Sequence, residues 1–255
     1  MITLKNPAQI AKMRSAGHLL YDVLQSIREV IKAGESTAAI DAYAEEKIRR
    51  AGAVPSFLHY QGYPKSICAS IDDEVVHGIP SDTAILKEGS ILSVDCGLIL
   101  DGWQADSAFT VGIGNISKEK AELIRVTEES FFLGAAKAVD GNRLGDIGSA
   151  VQKLAEAHGY GVVRELTGHG IGRNMHEDPS VPNYGLSGHG TRLKAGMVIA
   201  IEPMITLGSY RVMEMEDGWT IKTVDGSPCS HYEHTVAITE SGPELLTLPG
   251  YSFPG

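Results

Sequence analysis

Apolar residues at the start of the chain recur at helical spacing. Ile10, Met13, Gly17, Leu20, Leu24, Ile27 and Ile31 fall every three or four places behind Asn6-Pro7, a pair suited to an N-cap and a first helical residue. Gly34 stops this helix, and Ser36 or Thr37 caps a second one that carries Ile40, Ala44 and Ile48 and ends before Gly52. Val54 to Ser81 is irregular and rich in aromatics. From Leu86 to Val111 two apolar runs flank an Asp101-Gly102 turn, LKEGSILSVDCGLILDGWQADSAFTV, which predicts a β-hairpin. Folding its arms near Leu100–Asp101 sets Asp95 and Asp106 roughly opposite each other.

A similar order then returns. Ser117 caps a helix carrying Ile124, Phe131, Phe132, Ala135 and Val139, and Gly141 breaks it. A second helix carries Ile147, Val151 and Leu154 and ends before Gly159. VVREL reads as a strand leading into TGHGIGRNMHEDP, and LKAGMVIAIEPMI, DGWTIKTV and HYEHTVAIT read as further strands. A shift of 107 lays Gly34 on Gly141, Ile40 on Ile147, Gly52 on Gly159, Gly89 on Gly196 and Asp95 on Glu202. A shift of 99 lays His77-Gly-Ile-Pro80 on His176-Glu-Asp-Pro179. Two copies do not make a solenoid. They predict one domain over residues 1–255, built of pseudosymmetric halves at about 6–111 and 117–240, with a site at the seam.

Composition leaves this picture standing. Apolar residues make up 43% of the 255 positions, enough for a full core, and the net charge of −10 argues against a general nucleic-acid or anionic-membrane surface. MITLKNPAQI has no signal-peptide core, and no apolar run is long enough for a membrane helix. Cys68, Cys96 and Cys229 are odd in number and unpaired in spacing, which suits a reducing, cytoplasmic setting.

Candidate chemistry comes from strand alternation. Asp95 shares a face with Ile91, Ser93 and Gly97; Asp106 with Gln104, Ala108 and Thr110; Glu202 with Val198 and Ala200; Glu233 with His231, Thr235 and Ala237. The opposite faces are bulkier and suit packing under helices. A single acidic residue in a strand is ordinarily a solvated one. Asp95 and Glu202, however, end the very apolar runs ILSVD and VIAIE, where a buried charge needs a partner or a metal. A lone histidine is more commonly core or surface, yet His169 has glycine on both sides, which lets backbone bring an imidazole into a crowded site. Carboxylates with one imidazole suit Mn, Fe(II), Co or Zn in a dinuclear centre better than a structural zinc. His77 and His176 read as loop histidines or as groups flanking the metals.

Asp95, Asp106, His169, Glu202 and Glu233 resemble the five-ligand set of the methionine aminopeptidases, in their short type I bacterial form. GYPKSICAS…VVHGIP (62–80), GHGIGRNMHEDP (168–179), IEPM (201–204) and YEHTV (232–236) carry the likeness, which runs from about Asn6 to Leu248. The resemblance implies an α+β, pita-bread fold: two pseudo-twofold halves forming a mostly antiparallel sheet covered by helices. It implies removal of N-terminal methionine from peptides and nascent proteins, with two divalent ions as cofactor. Asp106 and Glu233 would bridge them, Asp95 would chelate one, and His169 and Glu202 would bind the other. Glu202 is also the candidate proton acceptor, His176 would hydrogen-bond the scissile carbonyl, and His77 would contact the amide nitrogen. Tyr60, Tyr63, Cys68 and Trp219 would line the methionine pocket, although such aromatics are more often plain core. The resemblance further implies a monomer, and it admits a ribosome contact.

Phe57, Gln61 and Met175 depart from the family pattern, all at the pocket rather than at the metals. Two other functions fit this fold less well. Xaa-Pro peptidases share the ligands but usually carry an extra N-terminal domain. Metal-free binding modules typically lose ligands that are all present in this chain.

Overall fold

The computed structural model describes residues 1–254. Helix α1 (Pro7–Val30) starts where the sequence places it. Asn6 accepts from the Gln9 amide while the Gln9 side chain accepts from the Asn6 amide, a reciprocal cap. Ile31 lies just past its end as the cap residue. Ser36 caps α2 (Thr37–Arg50). Strands β1 (Val54–Pro55), β2 (Ile67–Ile71) and β3 (Glu74–Val76) follow, then the hairpin of β4 (Ile91–Leu100) and β5 (Trp103–Gly112). Ser117 caps α3 (Lys118–Ala135), which precedes α4 (Leu144–Ala157); Val139 lies beyond α3. The remaining strands are β6 (Gly161–Val162), β7 (Gly168–Gly170), β8 (Glu177–Val181), β9 (Val198–Ile201) and β10 (Met204–Thr206). β11 (Val212–Glu214), β12 (Ile221–Thr223), β13 (Cys229–His231), β14 (Glu233–Thr239) and β15 (Gly242–Leu245) complete the chain.

The main sheet has nine strands in the order β1-β4-β5-β14-β9-β7-β8, with β2 beside β4 and β15 beside β14. Its pairings are antiparallel. The bulky faces go under the helices, as alternation predicts. Leu92, Val94, Leu98 and Phe109 pack with Leu20, Ile27, Ile40 and Ile48 of α1 and α2. Ile199, Ile201, Val236 and Ile238 pack with Phe131, Leu144 and Ile147 of α3 and α4.

The repeat is visible as duplicated hydrogen bonds. Gly34 donates to Leu86 and Gly141 to Leu193; Leu86 donates to Glu35 and Leu193 to Asn142. The isolated bridges Ser36–Ile85 and Arg143–Arg192 repeat at the same spacing. Each half thus returns its strand-entry loop to the N-terminus of its own short helix.

The stretch Val54–Ser81, read from sequence as irregular, forms β1, β2 and β3, and three expected strands differ in extent. Of VVREL only Val162 lies in the paired strand β6; Val163 still donates to the Met204 carbonyl, after which the chain leaves β10 and Arg164 lies over the Tyr210 ring. The run VIAIEPMI splits into β9 and β10 at Glu202-Pro203, since proline has no amide for the ladder. HYEHTVAIT splits at Tyr232 into β13 and β14. These last two breaks face each other: Ile201 pairs with His234 before them and Met204 with His231 after them. Among the described residues no helix is long and apolar enough to cross a membrane.

Ile27 is fully buried between α1 and the hairpin. Ile27→Ala should cost about 2–5 kcal/mol in denaturant unfolding, with the slope of the transition unchanged. A loss under about 0.5 kcal/mol, the usual range for surface positions, would contradict this packing.

Candidate metal centre

The hairpin turn decides where the two aspartates stand. Asp101 and Gly102 both have positive φ, the requirement of a two-residue primed turn. The turn therefore centres between them, one place later than a fold at Leu100–Asp101. Asp95 pairs with Ala108 and Asp106 with Gly97, so the carboxylates are diagonal neighbours on one face rather than opposite each other. Glu202 stands at the break that follows β9, and Glu233 opens β14 just after the break at Tyr232, opposite Ala108; both line one cavity with the aspartates.

All four carboxylates lie in the interior, and their acidities show it. Burial raises Asp106 to about 8. Burial, reinforced by the Asp106 charge, lifts Asp95 well above the usual carboxylate range. Glu202 and Glu233 are lifted in the same way, by burial first and by neighbouring carboxylates second. Asp95 Oδ1, Asp106 Oδ1 and Glu233 Oε1 are buried without a hydrogen-bond partner. An unpaired buried acceptor costs about 1–3 kcal/mol, and more when charged.

His169 enters from the next strand. A Cβ at Gly168 would overlap the Ala200 carbonyl and one at Gly170 the Asp178 carbonyl, so the flanking glycines permit this close packing. His169 Nδ1 donates to the Gly170 carbonyl at 2.8 Å, because a carbonyl can only accept. Burial lowers the imidazole pKa, so the ring is neutral and Nε2 holds a lone pair. That lone pair faces Asp106 Oδ2 at 3.7 Å and Glu202 Oε1 at 3.8 Å. Carboxylate oxygens and an imidazole lone pair that converge as acceptors fit a divalent cation. Asp106, His169 and Glu233 bring ligand atoms within 4.8 Å of one another, and so do Glu202, His231 and Glu233.

Hydroxyls fix the strands beneath this cluster. β5 and β14 share only two paired positions, Glu233–Ala108 and His234–Ser107. Thr235 Oγ1 accepts from the Asp106 amide at 3.1 Å and donates to the Asp106 carbonyl at 2.9 Å. Ser107 Oγ donates to the Glu233 carbonyl, and Thr110 Oγ1 links both backbone groups of His231. The Asn183 amide donates to the Glu202 carbonyl.

One cavity of about 180 Å³ opens over the cluster. It brings together all eleven residues singled out from sequence: Asp95, Asp106, His169, Glu202, Glu233, His77, His176, Tyr60, Tyr63, Cys68 and Trp219. Phe57, Gln61 and Met175 line it as well. Tyr63 packs edge-on against Trp219, and its one hydroxyl hydrogen is shared between the Ile67 and Gly78 carbonyls, each 3.1 Å away. The Tyr60 hydroxyl bonds His176 Nδ1 at 2.8 Å. Burial and the neighbouring His169 lower His176 to about 4, so it too is neutral.

The His176 loop is tied to the N-terminal segment. Thr3 Oγ1 and Lys5 Nζ both donate to Glu177 Oε2 at 2.7 Å, and the Arg173 and Asn174 amides donate to Glu177 Oε1. The Met1 ammonium pairs with Asp178. Sequence reasoning missed this clasp, the seam hydroxyls and His231. Alternation puts His231 and Thr235 on the Glu233 face, which was the one available signal.

The family model for metallopeptidase family M24 matches residues 11–240. A methionine aminopeptidase of Clostridium acetobutylicum is 54% identical over 97% of this chain and 99% of its own length. A methionine aminopeptidase of Bacillus subtilis is 47% identical over the same shares. The crystal structure of methionine aminopeptidase from Rickettsia prowazekii superposes with a TM-score of 0.95 at 41% identity, covering 97% of this chain and all of that one. A prolidase from Pyrococcus horikoshii superposes at 0.76 with 22% identity over 63% of its length, which is likeness of fold.

Protonation links this cluster to stability. Unfolded carboxyls titrate near 3.9–4.3, whereas burial raises them here, Asp106 to about 8. The metal-free folded chain therefore holds more protons than the unfolded chain between about pH 4 and 8, and its stability falls as pH rises through that window. Thermal unfolding of chelator-treated protein should show the midpoint dropping from about pH 5 to 8. Adding Mn(II) or Co(II) near pH 8 should restore it, with proton release measurable by calorimetry. A midpoint that rises over this range without metal would contradict the arrangement.

Proposed function

The chain belongs to metallopeptidase family M24, and we propose that it removes the N-terminal methionine from new polypeptides by hydrolysis of the first peptide bond. It is a metalloaminopeptidase with the pita-bread fold of that family. The observation that carries the substrate reading is one cavity holding both the carboxylate cluster and an aromatic, sulfur-containing recess. The cavity over cluster and recess together is about 180 Å³, so the recess alone has room for little more than one side chain. For scale, an apolar cavity of about 150 Å³ holds benzene. Tyr60, Tyr63, Cys68 and Trp219 present rings and a thiol to a flexible, polarizable thioether. Phe57 and Met175, which crowd the space above Gly97, narrow that recess.

Asp106 and Glu233, one from each half, would be shared between two divalent ions, Asp95 would hold one of them, and His169 and Glu202 would hold the other; the convergence of these side chains on one cavity supports that reading. Two divalent ions, when bound, supply Lewis acidity and an acidified water for attack. Mn, Fe(II), Co and Zn all suit these ligands.

Glu202 takes the proton of the attacking water at a carboxylate oxygen and delivers it to the departing amine. With Tyr60 donating to His176 Nδ1, the His176 Nε2–H is left to stabilise the oxygen of the scissile carbonyl as charge builds on it. His77, held at φ 60 beside Trp219, contacts the amide nitrogen. Glu177 and its clasp keep the His176 loop in place while this happens. Nascent chains as substrates place the reaction in the cytoplasm.

Met-Ala-containing peptides should lose methionine in a metal-dependent reaction, and Ala-Pro peptides should not be cleaved. Cleavage of Ala-Pro in preference to Met-Ala would favour the Xaa-Pro peptidase reading. Asp106→Asn and Glu233→Gln should each lose bound metal and nearly all turnover. Wild-type rates in either variant would refute the bridging assignment.

A further inference from the structure

His231 has no role in the scheme above, yet it is one of the most confined polar groups in the molecule. It ends β13, is 1% exposed, and is held by its backbone. Its amide donates to Thr110 Oγ1 at 3.0 Å and its carbonyl accepts from the same hydroxyl at 2.8 Å, while Met204 pairs across from it in β10. The side chain points into the cluster. Nε2 lies 3.7 Å from Glu202 Oε2 and 3.8 Å from Glu233 Oε2, and it has no hydrogen-bond partner.

His169 stands in the same relation on the other side. Its Nε2 lies 3.8 Å from Glu202 Oε1 and 3.7 Å from Asp106 Oδ2. The Glu202 carboxylate therefore has an imidazole nitrogen facing each of its oxygens. A hydrogen bond from Nε2–H would single out one carboxylate and close to about 2.8 Å. Near-equal distances to two carboxylates, beyond hydrogen-bond reach of both, instead describe donors arranged about a common centre. Glu202, His231 and Glu233 also meet the separation expected of a metal-binding triad.

We propose that His231 is a sixth ligand of the centre, its Nε2 binding a divalent cation together with Glu202 and Glu233. This rests on the metallopeptidase reading. It adds that the Glu202 side of the centre is a two-imidazole site. Imidazole favours Fe(II), Co and Zn, whereas an all-carboxylate set is better suited to Mn. His231 thus biases which ion the chain retains.

The test counts nitrogens directly. Chelator-stripped full-length protein is loaded with one equivalent of Mn(II), and pulsed EPR reads the coordinated imidazole nitrogens. Wild type should show two, and His231→Gln and His169→Gln one each. By calorimetry, His231→Gln should lose about tenfold or more in Co(II) affinity, with a smaller loss for Mn(II). The wild-type nitrogen count needs no variant, so a misfolded substitution leaves the test intact. His231→Asn, checked for native circular dichroism, repeats it at a smaller side chain. Wild-type protein with a single imidazole, removed by His169→Gln and untouched by His231→Gln, would overturn the proposal while leaving the metallopeptidase reading in place. Wild-type protein that binds no divalent ion would overturn both.

Discussion

Four carboxylates inside one cavity repel one another, and burial has taken most of their water. That constraint shapes the seam. Asp95, Asp106, Glu202 and Glu233 cannot all be charged in an apolar interior without a cation among them. Much of what looks irregular nearby serves to hold them there. Glu202 stands at the break before Pro203 and Glu233 just after the one at Tyr232, and both line the cavity. The glycines beside His169 admit an imidazole where any side chain would strike backbone. Hydroxyls of Thr235, Ser107 and Thr110 replace the missing ladder between β5 and β14 and fix the spacing of Asp106 and Glu233 without adding charge.

The duplicated architecture explains how a chain can hold such a cluster. Each half is stable for ordinary reasons: an amphipathic helix pair over the bulky face of a few strands. Each half contributes only part of the buried carboxylate cluster. Repulsion is confined to the junction, where neither core depends on it. The recurrent hydrogen bonds, Gly34 to Leu86 and Gly141 to Leu193, show how literally the scaffold repeats. Within that frame Asp95 of the first half is answered by Glu202 of the second.

The scaffold was legible because helices, caps and the hairpin are written in local spacing. Asn6-Pro7, Ser36 and Ser117 mark helix starts, and all three cap as expected. The five candidate ligands were legible because charged residues ending apolar runs require explanation, and because the motifs around them resemble a known family. What stayed hidden depends on tertiary geometry. The diagonal placement of Asp95 and Asp106 turns on one residue of hairpin register. The Thr3–Lys5–Glu177 clasp joins residues far apart in the chain, and no local pattern announces it. His231 sits on the expected face, but its convergence on Glu202 follows from two strand breaks that happen to face each other.

The place of β14 in the sheet has a consequence for synthesis. Glu233–Thr239 is the last long strand in the sequence, yet it occupies the central slot between β5 and β9. Until it leaves the ribosome the two halves have no common strand, the edges of β5 and β9 stay open, and the site lacks Glu233. The molecule therefore becomes competent only when its translation is nearly finished, long after its own first residue has emerged.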